Sequence, residues 1–152
     1  MKKRLLLLFI ASILCLFGCG KSEQTNEEIN EQLKAMASEI SFEEEETESL
    51  STALSMEDEE PVIAYVYKTS VKNPTKTDFK DFYFTAVYVD EDGNEVETIV
   101  GDNNVEWKAN REKAFYLTGP IGVEKKVESY VLTSANWLKE GNENYVTIDL
   151  TK

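Results

Sequence analysis

Apolar and polar positions follow three different patterns along this chain, and each pattern predicts a different kind of segment. From Leu5 to Phe17, thirteen residues carry no charge. They follow Lys2, Lys3 and Arg4 and lead into Gly18, Cys19 and Gly20. A basic start, an apolar middle and small residues near a cleavage point are the layout of a secretory signal. A helix crossing the hydrocarbon core needs roughly 20 apolar residues. The shorter run therefore predicts a cleaved signal over 1–18 rather than a permanent span.

The second pattern has a helical period. Ile29, Leu33, Met36 and Ile40 recur at spacings of four, three and four, which places them on one helix face. Thr25 with Glu28 three residues later has the spacing of a capping box. A short helix over 26–41 is predicted. Its surroundings argue against a core, because 21–60 holds fourteen acids against Lys21 and Lys34, with Phe42 as its one aromatic. Low hydrophobicity with like charge favours disorder. The expectation for 19–60 is thus an acidic tether of about 40 residues averaging roughly 35 Å end to end. Within it, the helix is frayed or docks a partner, since two heptads rarely sustain a coiled coil. The run Glu43 to Glu46 reads as a solvated spacer, because nothing in it fixes the geometry of a cation site.

From Pro61 onward the period becomes that of strands. Val62 to Val71 is rich in β-branched and aromatic residues, and 81–89 alternates, with Phe82, Phe84, Ala86 and Tyr88 on one face. Tyr83, Thr85, Val87 and Val89 make the other face apolar too, which places this strand inside a two-layer structure. Further strands are expected at 95–100, 105–108, 113–118, 127–138 and 145–150. They are separated by turn chemistry such as Asn73-Pro74, Asp92-Gly93-Asn94, Gly119-Pro120 and Gly141-Asn142. About seven short strands predict an all-β fold, an antiparallel immunoglobulin-like β-sandwich over 61–152.

Charge and composition narrow the function. The formal charge is −13, and removal of the three basic residues of the signal takes it to −16. Nucleic acid is a poor partner for such a chain, because binding it requires cations that neutralise phosphates. There is no His, the residue most used for acid-base work near neutral pH and the commonest metal ligand.

Leu16-Phe17-Gly18-Cys19 resembles the lipobox of bacterial lipoproteins, with Leu16 three residues before the Cys and small Gly18 immediately before it. Phe17 is bulkier than that motif usually holds, and Cys15 follows the large Leu14. The resemblance implies that the Cys19 thiol carries diacylglycerol and that Cys19 becomes the first mature residue. The mature chain then has no free thiol and no disulfide. It is expected on the outer face of the cell membrane, or on the outer membrane of a two-membrane envelope. Gly20 stands where some lipoproteins carry an Asp retention signal.

The stretch Thr69 to Thr75, then Phe84 to Asp90 and Asp92-Gly93-Asn94, is similar to small immunoglobulin-like surface domains of the FxLYD kind. An extra residue separates Tyr88 from Asp90, and Asn110-Arg111-Glu112 stands where Gly is usual. The resemblance implies an extracellular accessory or binding domain and transfers no catalytic residue.

Candidate chemistry is sparse. Asp90 to Glu95 is acidic, but Gly93 falls fourth rather than sixth, so the spacing is that of a hairpin turn and not of an EF-hand. No Ser-x-x-Lys motif occurs in the sandwich region, and a Ser or Thr nucleophile needs a base. No enzyme activity, metal or cofactor is expected. Aromatic content beyond residue 61 exceeds what one inner layer needs, so some rings are expected to reach the surface. Tyr65, Tyr67 and Trp107 read first as cross-strand packing, with a binding platform for a glycan or a partner protein as the functional alternative. Lys68, Lys72, Lys76 and Lys80 read as a solvated sheet edge. The expected function is that of a non-catalytic, lipid-anchored module for a protein or cell-wall glycan partner. An immunity lipoprotein that blocks a toxin is the second reading and a small envelope enzyme the third.

Overall fold

The computed structural model of the chain describes residues 23–45, 63–102, 104–121 and 126–151. The signal, Leu16, Gly18 and Cys19 lie outside these residues. One helix and seven strands occur among them: α1 (Asn26–Glu39), β1 (Glu43–Glu45), β2 (Ile63–Lys72), β3 (Phe79–Val89), β4 (Glu95–Val100), β5 (Glu112–Ile121), β6 (Ser129–Lys139) and β7 (Val146–Asp149). One sheet has the order β1-β2-β5 and the other β4-β3-β6-β7, and every pairing is antiparallel. With β1 taken as strand A, these are the A-B-E and C′-C-F-G sheets of an immunoglobulin-like sandwich.

The alternation in β3 builds the interior. Phe82, Phe84, Ala86 and Tyr88 point between the sheets and are fully buried. They meet Phe115 and Leu117 of β5, Tyr67 of β2 and Trp137 of β6 in one continuous cluster. Most of the ring pairs are tilted or edge-to-face, including Phe82 against Phe84 at 5.0 Å between centroids, an arrangement that aromatic quadrupoles favour. Where β4 comes close to β5, Gly119 leaves room for Ile99, whose side-chain tip would have to shift to admit a Cβ there. Of the expected strands, 105–108 is not one. Phe79 and Trp107 form an isolated bridge there, and the Asp81 carboxylate takes the Val105 N–H at 2.8 Å in place of a backbone carbonyl.

The larger correction concerns the expected tether. Residues 26–45 belong to the fold. Thr25 and Glu28 form the capping box, and Ile29, Leu33 and Met36 are buried in the same cluster as Trp137 and Ile148. Asn30 Oδ1 accepts the indole N–H of Trp137 at 3.0 Å. Beyond the helix, Phe42 is buried with its ring edge-on to Phe84, and its backbone N–H donates to the Tyr130 hydroxyl at 2.6 Å. The chain then pairs Glu43–Glu45 with 66–68 of β2 as β1. An isolated helix of this length is marginal in water. Burying a large apolar side chain contributes about 1.5–3 kcal/mol, and Ile29, Leu33, Met36 and Phe42 each add such a burial to 26–45.

A test follows from Leu33, which is fully buried. Leu33→Ala is expected to destabilise the protein by about 2–5 kcal/mol, as in a core, measured by urea unfolding. A change within about 0.5 kcal/mol, the usual surface value, would return the helix to a tether.

Candidate functional site

The three aromatics picked out by sequence do not make a surface. Trp107 is 1 % exposed, packs on Phe82 and Phe115, and donates its indole N–H to the Arg111 carbonyl at 2.9 Å. Tyr67 is buried between Tyr88 and Tyr130. Tyr65 is half-buried, and its hydroxyl accepts the Val127 N–H at 3.4 Å. Trp107 lies in a different part of the cluster from the two tyrosines. All three pack in or against the buried cluster of the sandwich.

The apolar surface lies elsewhere. Among the described residues, the large hydrophobic side chains left exposed are Val100 at 56 %, Val131 at 51 % and Tyr145 at 43 %. Strand register puts all three on one face, the outer face of the four-stranded sheet. Ile99 points inward, so Val100, opposite Thr85, points out. Val131 stands opposite Val87, which also points out because Ala86 and Tyr88 point in. Tyr145 stacks edge-on against Tyr83 at 5.6 Å. The second apolar face of β3, expected to lie under another layer, is this outer face, and no described element covers it.

The positions between these residues are short and uncharged. Asn136, itself buried, accepts from the Thr147 hydroxyl at 2.8 Å and donates to Thr85 Oγ1 and Ser134 Oγ. Asp81 is buried beneath the rim, where it accepts from the Tyr145 hydroxyl at 2.5 Å and from the Val105 N–H. Asp149 of β7, opposite Ser134, and Glu95 of β4, opposite out-facing Val89, are the charges on this face. The opposite sheet presents a different outer surface, with Lys68 paired to Glu45 at 2.8 Å and lying over the Tyr116 ring. Thirty percent of the chain is charged, so a sheet face made of Val, Tyr, Thr, Ser and Asn is a departure from the rest of the surface. Depletion of charge with aromatic residues present is the compositional mark of an interface.

A groove of about 720 Å³ adjoins this face, between Lys34, Ala37 and Ile40 on the α1 side and Tyr130, Leu132 and Leu150 on the other. The acidic turn at 90–94 behaves as a hairpin. Gly93 has φ +79°, and the Asp90 carboxylate accepts from the Asn94 side chain and from the backbone N–H groups of Asn94 and Asp92. These bonds, the Asn94 side chain first, hold Asp90 below the usual carboxylate range. Among the described residues, no group of three Asp, Glu, His or Cys is placed to hold a metal ion.

The core tyrosines carry a pH signature. Burial, with Glu44 next, pushes the Tyr67 phenol up to about 12, and burial also raises Tyr88. The hydrogen bond to Asp81 raises the mostly exposed Tyr145 to about 12. The folded state then keeps protons that the unfolded chain releases above pH 10. The stability this contributes is intact below the unfolded pKa of about 10 and is lost as pH rises through 12. Ultraviolet titration is expected to show Tyr67 and Tyr88 ionising only as the protein unfolds. Ionisation of all seven tyrosines together near pH 10, with the fold intact, would contradict this placement.

Comparison of the chain with protein-family models, with curated proteins and with solved structures finds no match in any of the three.

Proposed function

We propose that this chain is a lipoprotein held by acylated Cys19 on the outer face of a membrane, and that it acts without catalysis by binding a partner protein. The location rests on sequence: a basic start, thirteen uncharged residues and Leu16-Phe17-Gly18-Cys19. One acyl chain gives marginal, reversible binding and two give a stable anchor, which is the physical role of a diacylglycerol. The binding role rests on one observation, that Val100, Val131 and Tyr145 share the charge-poor outer face of the β4-β3-β6-β7 sheet. A flat face of this kind suits a protein surface better than a small substrate, which takes a concave pocket.

Two measurements test the two parts. Cys19→Ala is expected to accumulate as precursor or to be shed from cells; wild-type amounts of mature, membrane-bound protein would refute the acylation. For binding, a photocrosslinker at Thr98 on the outer face is expected to yield one distinct protein adduct on intact cells. The same crosslinker at exposed Ser70 on the opposite sheet should not. Val131→Asp is expected to reduce that adduct about tenfold, the equivalent of about 1.4 kcal/mol, with unfolding unchanged. Adducts identical from both positions, or indifferent to Val131→Asp, would remove the case for this face.

A further inference from the structure

The chain enters its fold at one end of the sandwich. Glu23 forms an ion pair with Lys139, and the Gln24 side chain accepts the Lys76 N–H at 2.6 Å. Lys139 closes β6, and Lys76 lies in the loop between β2 and β3. Glu23 is four residues past Cys19, and four extended residues span at most about 14 Å. If Cys19 sits in the bilayer, this end of the domain is beside the headgroups.

That end also collects the cations. Of the ten Lys and Arg among the described residues, seven lie there, at the end of β2, the start of β3, the 105–111 crossing, the start of β5 and the end of β6. Lys108 is paired with Glu106 and Asp78, and Lys139 with Glu23. Lys72, Lys76, Lys80, Arg111 and Lys113 make no ion pair among the described residues. Glu112, Glu140 and Glu143 share this end with buried Asp81 and with Glu27 and Glu28 in the first turn of α1, so nine acids stand there against the seven cations, and the unpaired cations gather at the adjoining ends of β2, β3 and β5. The other end is strongly acidic, with Asp90, Glu91, Asp92, Glu95, Glu97 and Glu128 around the β3–β4 hairpin.

We infer that the end of the sandwich carrying Lys72, Lys76, Lys80, Arg111 and Lys113 rests on the headgroups of anionic phospholipids, with the acidic hairpin pointing away. The inference rests on the acylation of Cys19 proposed above. The mature chain's formal charge of −16 does not oppose it, because a membrane surface feels charge only within a Debye length, about 8 Å at physiological salt. The eleven residues of β3 set the acidic hairpin roughly 35 Å from the entry end, several screening lengths away. Attraction of the near cations and repulsion of the far acids turn the domain the same way. The strands then stand along the membrane normal, and the charge-poor outer face of the four-stranded sheet looks sideways.

The test uses the mature acylated protein in phosphatidylcholine vesicles with and without phosphatidylglycerol, with a nitroxide quencher at headgroup level. A fluorophore is attached at Asn142→Cys, at the entry end, or at Glu91→Cys in the hairpin. Quenching is expected at 142 and absent at 91, and stronger with phosphatidylglycerol. Replacing the five cations by Gln is expected to bring quenching at 142 down to the level seen in phosphatidylcholine alone. Intact mass of the same sample reports acylation separately. Equal quenching at both positions of an acylated protein, or quenching indifferent to phosphatidylglycerol and to the five substitutions, overturns the orientation and leaves the lipid reading standing. A Cys19 without lipid overturns both.

Discussion

Two antiparallel sheets enclose an apolar interior that would open on one flank, and the insertion of Ile29, Leu33, Met36 and Phe42 closes it. On the other flank β4 meets β5, a contact that Gly119 makes close enough to seal. Opposite that seam, α1 spans from the end of β2, at Val71 and Pro74, to Leu132 and Leu150 beside β6 and β7. Two hydrogen bonds fix its position, from the Trp137 indole to Asn30 and from the Phe42 N–H to the Tyr130 hydroxyl. Both use polar atoms of otherwise apolar rings, and an unpaired buried donor costs about 1–3 kcal/mol. The segment is thereby held in one place as well as buried.

That closure bears on function through distance. A tether of about 40 residues would let the sandwich wander roughly 35 Å from its anchor. A fold that starts at Glu23 leaves three residues between it and Cys19. On the proposed acylation, the domain is a low platform and not a buoy. Its charge asymmetry then acquires a direction, and its charge-poor sheet face becomes available to neighbours in the plane of the membrane.

Much of the fold was legible because strand periodicity is a local signal. Alternation in 81–89 and the turns at Asp92-Gly93 and Gly141-Asn142 fall where the sequence puts them. The helix was legible too, from the spacing of four apolar residues and from Thr25 with Glu28. Its burial was not, because acidity reports on the solvent face of an amphipathic helix and says nothing of what its apolar stripe meets. β1 was invisible. Three consecutive Glu have no strand preference, and their pairing follows from Phe42 being anchored beside them. Burial decides between the two readings of the aromatics: Tyr67 and Trp107 lie in the core, as cross-strand packing predicts. The exposed face is carried instead by Val100, Val131 and Tyr145, ordinary strand residues whose exposure depends on register.

The central claim is that 26–45 is a working part of the core, and amide hydrogen exchange tests it directly. Local opening of a packed element requires a free energy approaching that of global unfolding, whereas a frayed helix exchanges near the free-chain rate. The amides of Leu33, Met36 and Ile40 are predicted to exchange as slowly as those of Phe84 and Ala135. Exchange there at the rate of an unstructured peptide, with the β3 and β6 amides still protected, would contradict the account.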